Sequence, residues 1–217
     1  DSHSASFPSL EDLASTADVL IEEEDQNFGG FAGAAKFPMV PALTFLSEQG
    51  RSGNVKAKKF VERTLEVYAR SNLRDPVDGG FFRYCSKSDF SEPHYERMLY
   101  DNAGLLSLYS RHGDTTRAGQ LVGFIRAVLS VSGGLGSSQN SESSVDGRVS
   151  EGGYYRSSLS QRKKLLAPSI DTKVLSGWNG LALSALAEAH IAKIAGSPGL
   201  LGQQIADKLI KGHIGND

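Results

Sequence analysis

The chain is poor in the residues that staple or mark a fold: of 217 residues, one is cysteine, two are methionine and one is tryptophan. The lone Cys85 excludes an internal disulfide framework and any Cys-x-x-Cys redox pair, and it makes the cytoplasm the default compartment. Beside Tyr84 it reads as a small packing residue. A surplus of either charge is missing too. The net charge is −2 with Lys and Arg scattered, which leaves no electrostatic footprint for nucleic acid. No apolar run approaches the roughly 20 residues of a membrane span, so no membrane partner is expected. The opening Asp1-Ser2-His3-Ser4 has neither a basic nor a hydrophobic leader region, and without an initiator Met it reads as a processed chain or a fragment. Histidines at 3, 94, 112, 190 and 213 show no paired ligand spacing, and no Gly-x-Gly-x-x-Gly or Walker pattern occurs. Neither a metal nor another cofactor is expected.

What is present is an ordinary globular balance, with 39% hydrophobic and 22% charged residues on a chain long enough for one sizeable core. Glycine pairs set a rhythm: Gly29-Gly30-Phe31, Gly79-Gly80-Phe81 and Gly133-Gly134-Leu135 are spaced by 50 and 54 positions. Such a period suggests a stacked supersecondary unit. Helical patterns fill the intervals. Ser9 with Asp12 forms an N-cap and its box, opening a helix with Leu10, Leu13, Ala17, Leu20 and Ile21 on one side. A second helix runs over 41–48, and a third carries Ala57, Phe60, Val61, Leu65 and Tyr68. Met98, Asn102, Leu105, Leu106 and Tyr109 mark a fourth, and Ala118 to Leu129 a fifth. A sixth, over 181–195, is apolar nearly all round, and Leu201, Ile205, Leu209 and Ile210 mark a seventh. The second and third, fourth and fifth, and sixth and seventh helices are joined by short polar turns, which make antiparallel hairpins. The long connections are the three that carry the glycine pairs. In an up-and-down array those three share one face, and long loops on a rigid scaffold commonly carry function.

The segments "GGFFRY" and "PHYERMLYDN" (Gly79 to Tyr84, Pro93 to Asn102), Gly29-Gly30-Phe31 through Pro38, and Ile170-Asp171-Thr172-Lys173 through Trp178-Asn179-Gly180-Leu181 together resemble the DUF255 or YyaL-like family. Animal members of that family are called spermatogenesis-associated protein 20. The resemblance runs in order from about Asp25 to Ala187. It implies a helical toroid of the six-hairpin glycosidase type, similar to N-acylglucosamine 2-epimerase, and a thioredoxin-like domain elsewhere in the parent protein. The expected fold class is therefore all-α, built of α/α-hairpin repeats forming part of an (α/α)6 toroid, with residues 1–217 as a single domain. Relative to the family, residues 137–165 look like a shortened irregular loop, and the chain looks like a fragment of a larger ring. Where the family carries an Asp-Ala-Asp-Ser-like element, this chain has Gln139-Asn140-Ser141-Glu142-Ser143, which removes those aspartates and leaves Glu151 as the nearby carboxylate.

The ionisable residues crowd around one helix start. His94 is a candidate proton carrier, since its unperturbed pKa lies near 6.5. Glu96 at a helix N-terminus would be held as a carboxylate by free N–H groups. Such a pair suits removal and return of a proton at a sugar carbon; the bland alternative is a supported helix start with a packed histidine. Asp101 is a second carboxylate candidate, paired with Glu96 or with Asp171 as in glycoside hydrolysis. Asn102 points inward and must be hydrogen-bonded to a loop or a ligand. Trp178 beside Asn179, placed on the third long loop, suits a sugar ring's apolar face and its hydroxyls, although a lone Trp is commonly core. Lys173 with Asp171 is a ligand contact or a loop-closing ion pair. Lys36 with Phe37, and Arg83 with Tyr84, complete the rim.

Two readings follow. One is a domain that binds a small carbohydrate or polyol at its long-loop end and acts as an epimerase-like or glycosidase-like catalyst through His94, Glu96, Asp101 and Asp171. The other is a non-catalytic domain that binds a ligand or docks a thioredoxin-like partner, its motif residues anchoring loops. An open half-toroid would also expose apolar surface around residues 181–194, which favours self-association.

Overall fold

The computed structural model describes residues 7–213; the opening 1–4 segment and His3 lie outside them. Among the described residues the chain forms helices α1 (Leu10–Glu22), α2 (Val40–Arg51), α3 (Val55–Arg70), α4 (Leu99–Arg111), α5 (Thr115–Phe124), α6 (Leu159–Arg162), α7 (Ser176–Ile191) and α8 (Pro198–His213). Local chemistry starts several of them. Ser9 and Asp12 cap α1 reciprocally, and the side chains of Asn54 and Asp114 accept from Ala57 and Arg117 N–H at 3.0 Å each. Those caps satisfy amide groups that a helix start leaves free. After Phe124 the last turn of α5 widens into a π-turn over Ile125–Leu129.

Helices α2, α4 and α7 stand side by side as an inner row, with α4 in the middle. Helices α1, α3, α5 and α8 pack behind them, and the core lies between the rows. Phe60, Val61, Leu65 and Tyr68 of α3 and Leu105, Leu106 and Tyr109 of α4 are buried in it. Burial of each such large side chain stabilises by about 1.5–3 kcal/mol. Buried phenols keep a partner: Tyr109 donates to the carbonyl of Leu65 at 2.7 Å, and Tyr68 to that of Phe37 at 3.0 Å. No helix of the described residues is long and apolar enough to cross a membrane.

The all-α expectation needs one correction. Nine short strands occur among the described residues: β1 (Tyr84–Cys85), β2 (Pro93–His94), β3 (Arg97–Met98), β4 (Ser130–Val131), β5 (Gly134–Leu135), β6 (Ser138–Gln139), β7 (Glu142–Val145), β8 (Arg148–Glu151) and β9 (Ile170–Asp171). All lie in the long connections, where backbone groups without helical partners pair with one another. β1 pairs with β2, β4 with β5 and β7 with β8, all antiparallel, while β6 lies between β3 and β9. The β7–β8 hairpin and α6 give order to residues 137–165, which the sequence suggested were irregular. The β3–β6 pairing also shifts the start of α4. Arg97 and Met98 are drawn into a strand, so the helix begins at Leu99 and Met98 serves as its cap instead of its first apolar residue. Helix α7 begins five residues earlier than its apolar pattern suggested, which places Trp178 and Asn179 in its first turn instead of on a loop.

Candidate functional site

The three long connections meet on one face. Lys36 of the first exchanges backbone hydrogen bonds with Cys85 of the second at 2.8 and 2.9 Å, and Leu99 N–H at the end of the second donates to the carbonyl of Ser137 in the third at 2.9 Å. The first two loops repeat one device. Asp25 N–H donates to the Gly30 carbonyl at 2.8 Å and Gly29 N–H to the Asp25 carbonyl at 2.8 Å; Asp75, Gly80 and Gly79 do the same at 2.8 and 3.0 Å. Gly29 and Gly79 turn there with φ of 76° and 84°, a left-handed conformation that strains other residues. The third loop shortens this to the tight β4–β5 hairpin.

Each loop has its own anchor. The Lys36 ammonium is 2% exposed and donates to the Asp25 carboxylate at 2.6 Å and to the carbonyls of Phe31 at 2.7 Å and Gly29 at 3.2 Å. Asn102 accepts from Phe81 N–H at 2.7 Å and donates to the carbonyls of Phe81 at 3.0 Å and Met98 at 2.8 Å. Asn179 treats Leu135 alike, accepting at 2.9 Å and donating back at 3.0 Å, with Leu175 at 3.1 Å. Each Asn is the fourth residue of its helix and fully enclosed. Lys36, Asn102 and Asn179, candidates for ligand contact in the sequence, thus spend their hydrogen bonds within the fold, the two Asn on backbone and Lys36 on backbone carbonyls and the Asp25 carboxylate.

Above these anchors a cluster of side chains is brought together. Phe37, Tyr84 and His94 form a stack, with ring centroids 4.8 and 5.1 Å apart. The β1–β2 pairing sets Tyr84 opposite His94. His94 Nδ1 lies 3.0 Å from Glu151 Oε1, delivered by the end of β8, and Nε2 lies 3.8 Å from Glu96 Oε2. Arg83 Nη1 donates to Glu96 at 2.9 Å. Glu96 was expected to face the free N–H groups of α4, but it sits ahead of β3 and its carboxylate pairs with Arg83 instead.

Asp101 occupies a different environment. It is 6% exposed, its Oδ2 has no hydrogen-bond partner among the described residues, and burial pushes its carboxyl up to about 7. A hydrogen bond from Tyr100 and the charge of Arg83 oppose that rise. Tyr100 in turn meets Trp178 edge-on at 4.8 Å. Arg83, paired with Glu96, thus acts through its charge on Asp101, whose neighbour Tyr100 meets Trp178. Asp171 stands in another setting: it is exposed, and the N–H of Lys173 followed by the Ser137 side chain lower its pKa. Its carboxylate accepts from Lys173 N–H at 3.1 Å and lies 3.5 Å from Lys173 Nζ, and among the described residues it is bonded to neither Asp101 nor Glu96. The Cys85 thiol is buried and pushed up to about 12 by that burial, which leaves it unreactive. Among the described residues no three His, Cys, Asp and Glu side chains gather as a metal site.

One feature of the face was not read from the sequence. Beneath the cluster, Arg97 and Arg162 converge on Asp75, which is fully buried. Arg162 grips both Asp75 oxygens at 2.7 and 3.0 Å, and Arg97 reaches Asp75 at 3.3 Å together with Asp78 and Gln139. The Arg97 guanidinium also lies 4.4 Å from the Phe124 ring centre and 5.0 Å from that of Tyr155. The only sequence signal was that Asp25 and Asp75 occupy the same place ahead of successive glycine pairs. Gln139 falls in the segment where the resembled family is acidic, and here its amide oxygen receives Arg97.

No family model matches the chain. Human spermatogenesis-associated protein 20 is 33% identical over 162 residues, which cover 68% of this chain and 21% of that protein. The chain is a homologue of spermatogenesis-associated protein 20. It spans about a fifth of the length of that relative. Among solved structures, cellobiose 2-epimerase from Spirochaeta thermophila superposes with a TM-score of 0.68 at 14% identity, covering 94% of this chain and 53% of the epimerase. A sugar epimerase from a ruminal bacterium gives 0.62 at 14% identity, covering 89% and 50%. At these identities the likeness shows the fold, that of the helical-toroid class. In this spermatogenesis-associated protein 20 homologue, α2, α4 and α7 form the inner wall of such an arc.

Proposed function

We propose that the long-loop face of this chain binds a carbohydrate or related polyol and moves protons at one of its carbons. The observation that carries this reading is His94, stacked on Tyr84 and set between the carboxylates of Glu151 and Glu96, with Arg83 bonded to Glu96. Phe37, which ends the stack and is exposed, offers flat apolar surface to a sugar ring while Tyr84 holds it parallel to His94, and Arg83, Glu96 and Glu151 offer its hydroxyls charged partners. Glu151 orients the imidazole so that Nε2 can take a proton from a carbon beside a carbonyl. Asp101, half protonated near pH 7, can return one. One proton leaves and one returns, so the exchange needs no oxidant or other co-reactant. The names of the structures that share the fold, a cellobiose 2-epimerase and a sugar epimerase, support the same ligand class. On this reading residues 1–217 act as one hairpin domain belonging to a larger toroid.

The test is a thermal-shift titration against N-acyl amino sugars, hexoses and short oligosaccharides. Free ligand at about a hundred times its dissociation constant stabilises by roughly 2.7 kcal/mol. A saturable shift is expected in the wild type and in Arg51→Ala at the opposite end, and its loss in Tyr84→Ala and Glu96→Gln. Solvent deuterium entering the bound sugar's carbon skeleton, and failing to do so in His94→Gln, checks the proton transfer. A panel with no shift would refute sugar binding and favour a partner-docking domain; binding without deuterium uptake would leave a sugar-binding module only.

A further inference from the structure

A second cavity adjoins the site on the inner wall. It has a volume of about 410 Å³ and lies in a groove between α2, α4 and α7. Its floor is a half-buried line of α4, Tyr100, Gly104 and Ser107, ending at Arg111, and its walls include Val40 and Pro41 on one side and Leu181 and Ala185 on the other. The groove is long and narrow. Tyr100 and Arg111 stand eleven residues apart on one helix, which at 1.5 Å per residue is roughly 16 Å. Helices α2 and α4 approach closely at Gly104, where a Cβ would clash with the Val40 side chain. At the far end the groove is stopped by Arg111, which is bonded to Glu188, and Ser107 donates to the same carboxylate. Leu181, on the rim, is 55% exposed.

The two ends are chemically opposed to the middle, and one of them is shared with the proposed sugar site. Tyr100 lines the groove at its loop end, next in sequence to Asp101 and edge-on to Trp178, and the charges of Asp101 and Arg83 act on its hydroxyl. A ligand seated on Arg83 and Glu96 would therefore meet the mouth of an apolar slot. We infer that the groove receives the linear apolar chain of an amphiphilic sugar, an alkyl or acyl glycoside whose polar head occupies the His94–Glu96–Arg83 cluster. This rests on the sugar-binding reading and extends it to a substrate class. A slot of this length, with the small residues Gly104 and Ser107 between Tyr100 and Arg111 on its floor, suits an extended chain better than a compact ring. The volume falls within the 300–1,000 Å³ typical of small-molecule sites.

The experiment is calorimetric titration of the full chain with methyl, butyl, hexyl and octyl glucoside below their micelle concentrations, with Trp178 emission as a second readout. Each added methylene should lower the dissociation constant about fourfold, the ratio equivalent to about 0.8 kcal/mol per buried CH₂. In Leu181→Lys, a rim substitution that leaves the core untouched, the series should flatten while methyl glucoside binds as before. Equal binding across the series in the wild type would overturn the groove assignment and leave the sugar site standing. A chain-length dependence that survives Leu181→Lys would also overturn it. If methyl glucoside and every homologue fail to bind, the sugar reading falls and this inference falls with it. Sedimentation of the same samples covers the remaining occupant: a wild-type dimer that Leu181→Lys dissociates would assign the groove to a second copy and overturn the ligand proposal.

Discussion

Replacing Asn102 by Ala isolates what holds the second long loop to the scaffold. The substitution removes three hydrogen bonds, two of them to the backbone of Phe81. Phe81 is fully buried, so water does not replace what is lost. A buried donor or acceptor left unpaired costs about 1–3 kcal/mol, and Phe81 presents one of each. The expected destabilisation is about 2–6 kcal/mol, read as a lower urea midpoint with an unchanged slope. Amide hydrogen exchange supplies the local check: the Phe81 amide should lose protection while the Leu135 amide, held by Asn179, keeps it. Asn179→Ala should give the reverse pattern. A loss below about 1 kcal/mol, or unchanged exchange at Phe81, would refute the view that this amide closes the loop.

Two further perturbations test the charges. Asp75→Ala leaves Arg97 and Arg162 buried without their shared carboxylate, and a buried pair broken on one side costs about 3–5 kcal/mol; a drop of that order in chemical denaturation is expected, and a change under about 1 kcal/mol would contradict the network. Asp101 governs a pH dependence. Its folded pKa of about 7 lies above the ordinary 3.8, so the folded state binds the extra proton between those values. Stability contributed by that proton is present below about pH 4, falls as pH rises towards 7 and levels off above it, a span of about 4 kcal/mol at 1.36 kcal/mol per pH unit. Asp101→Asn should flatten that slope and be the more stable protein at pH 8; an unchanged slope in the variant would show that Asp101 titrates elsewhere.

The parts of the fold written in local chemistry are legible in the sequence. The Ser9–Asp12 box, the glycine-pair rhythm and the alternation of short and long connections each depend on residues close in sequence. Asn102 was read as inward-pointing from its place on the helix stripe, and its loop contact was one of the two uses considered. Trp178 was assigned to a loop because Leu175 caps α7 without a side-chain hydrogen bond, and Gly177 and Gly180 disguise the first turns as a connection. Strands of two residues are too short to show an alternating pattern, so the β3–β6–β9 sheet was invisible, and with it the displacement of Glu96 from the helix start. The Asp75–Arg162 contact joins residues 87 positions apart. Nothing in the local spacing marks an arginine as the buried partner of an aspartate in another repeat. The same holds for Glu151, whose place beside His94 depends on a hairpin whose exposed residues, Val149 apart, are polar.

The ties across the long-loop face have a consequence for how the molecule forms. Lys36 with Cys85, Arg97 with Gln139, and Asp75 with Arg162 join residues 42 to 87 positions apart, whereas each helical hairpin closes over a turn of a few residues. Loop-closure entropy favours the near contacts, so the hairpins should assemble early and the face be knitted last. Its polar surface is then the first region to open and the last to close. A ligand that bridges Tyr84, His94 and Glu151, which come from two of the three loops, would act as a late staple on that region. In native-state hydrogen exchange the protection it confers should appear along the loops and leave the cores of α3 and α4 unchanged.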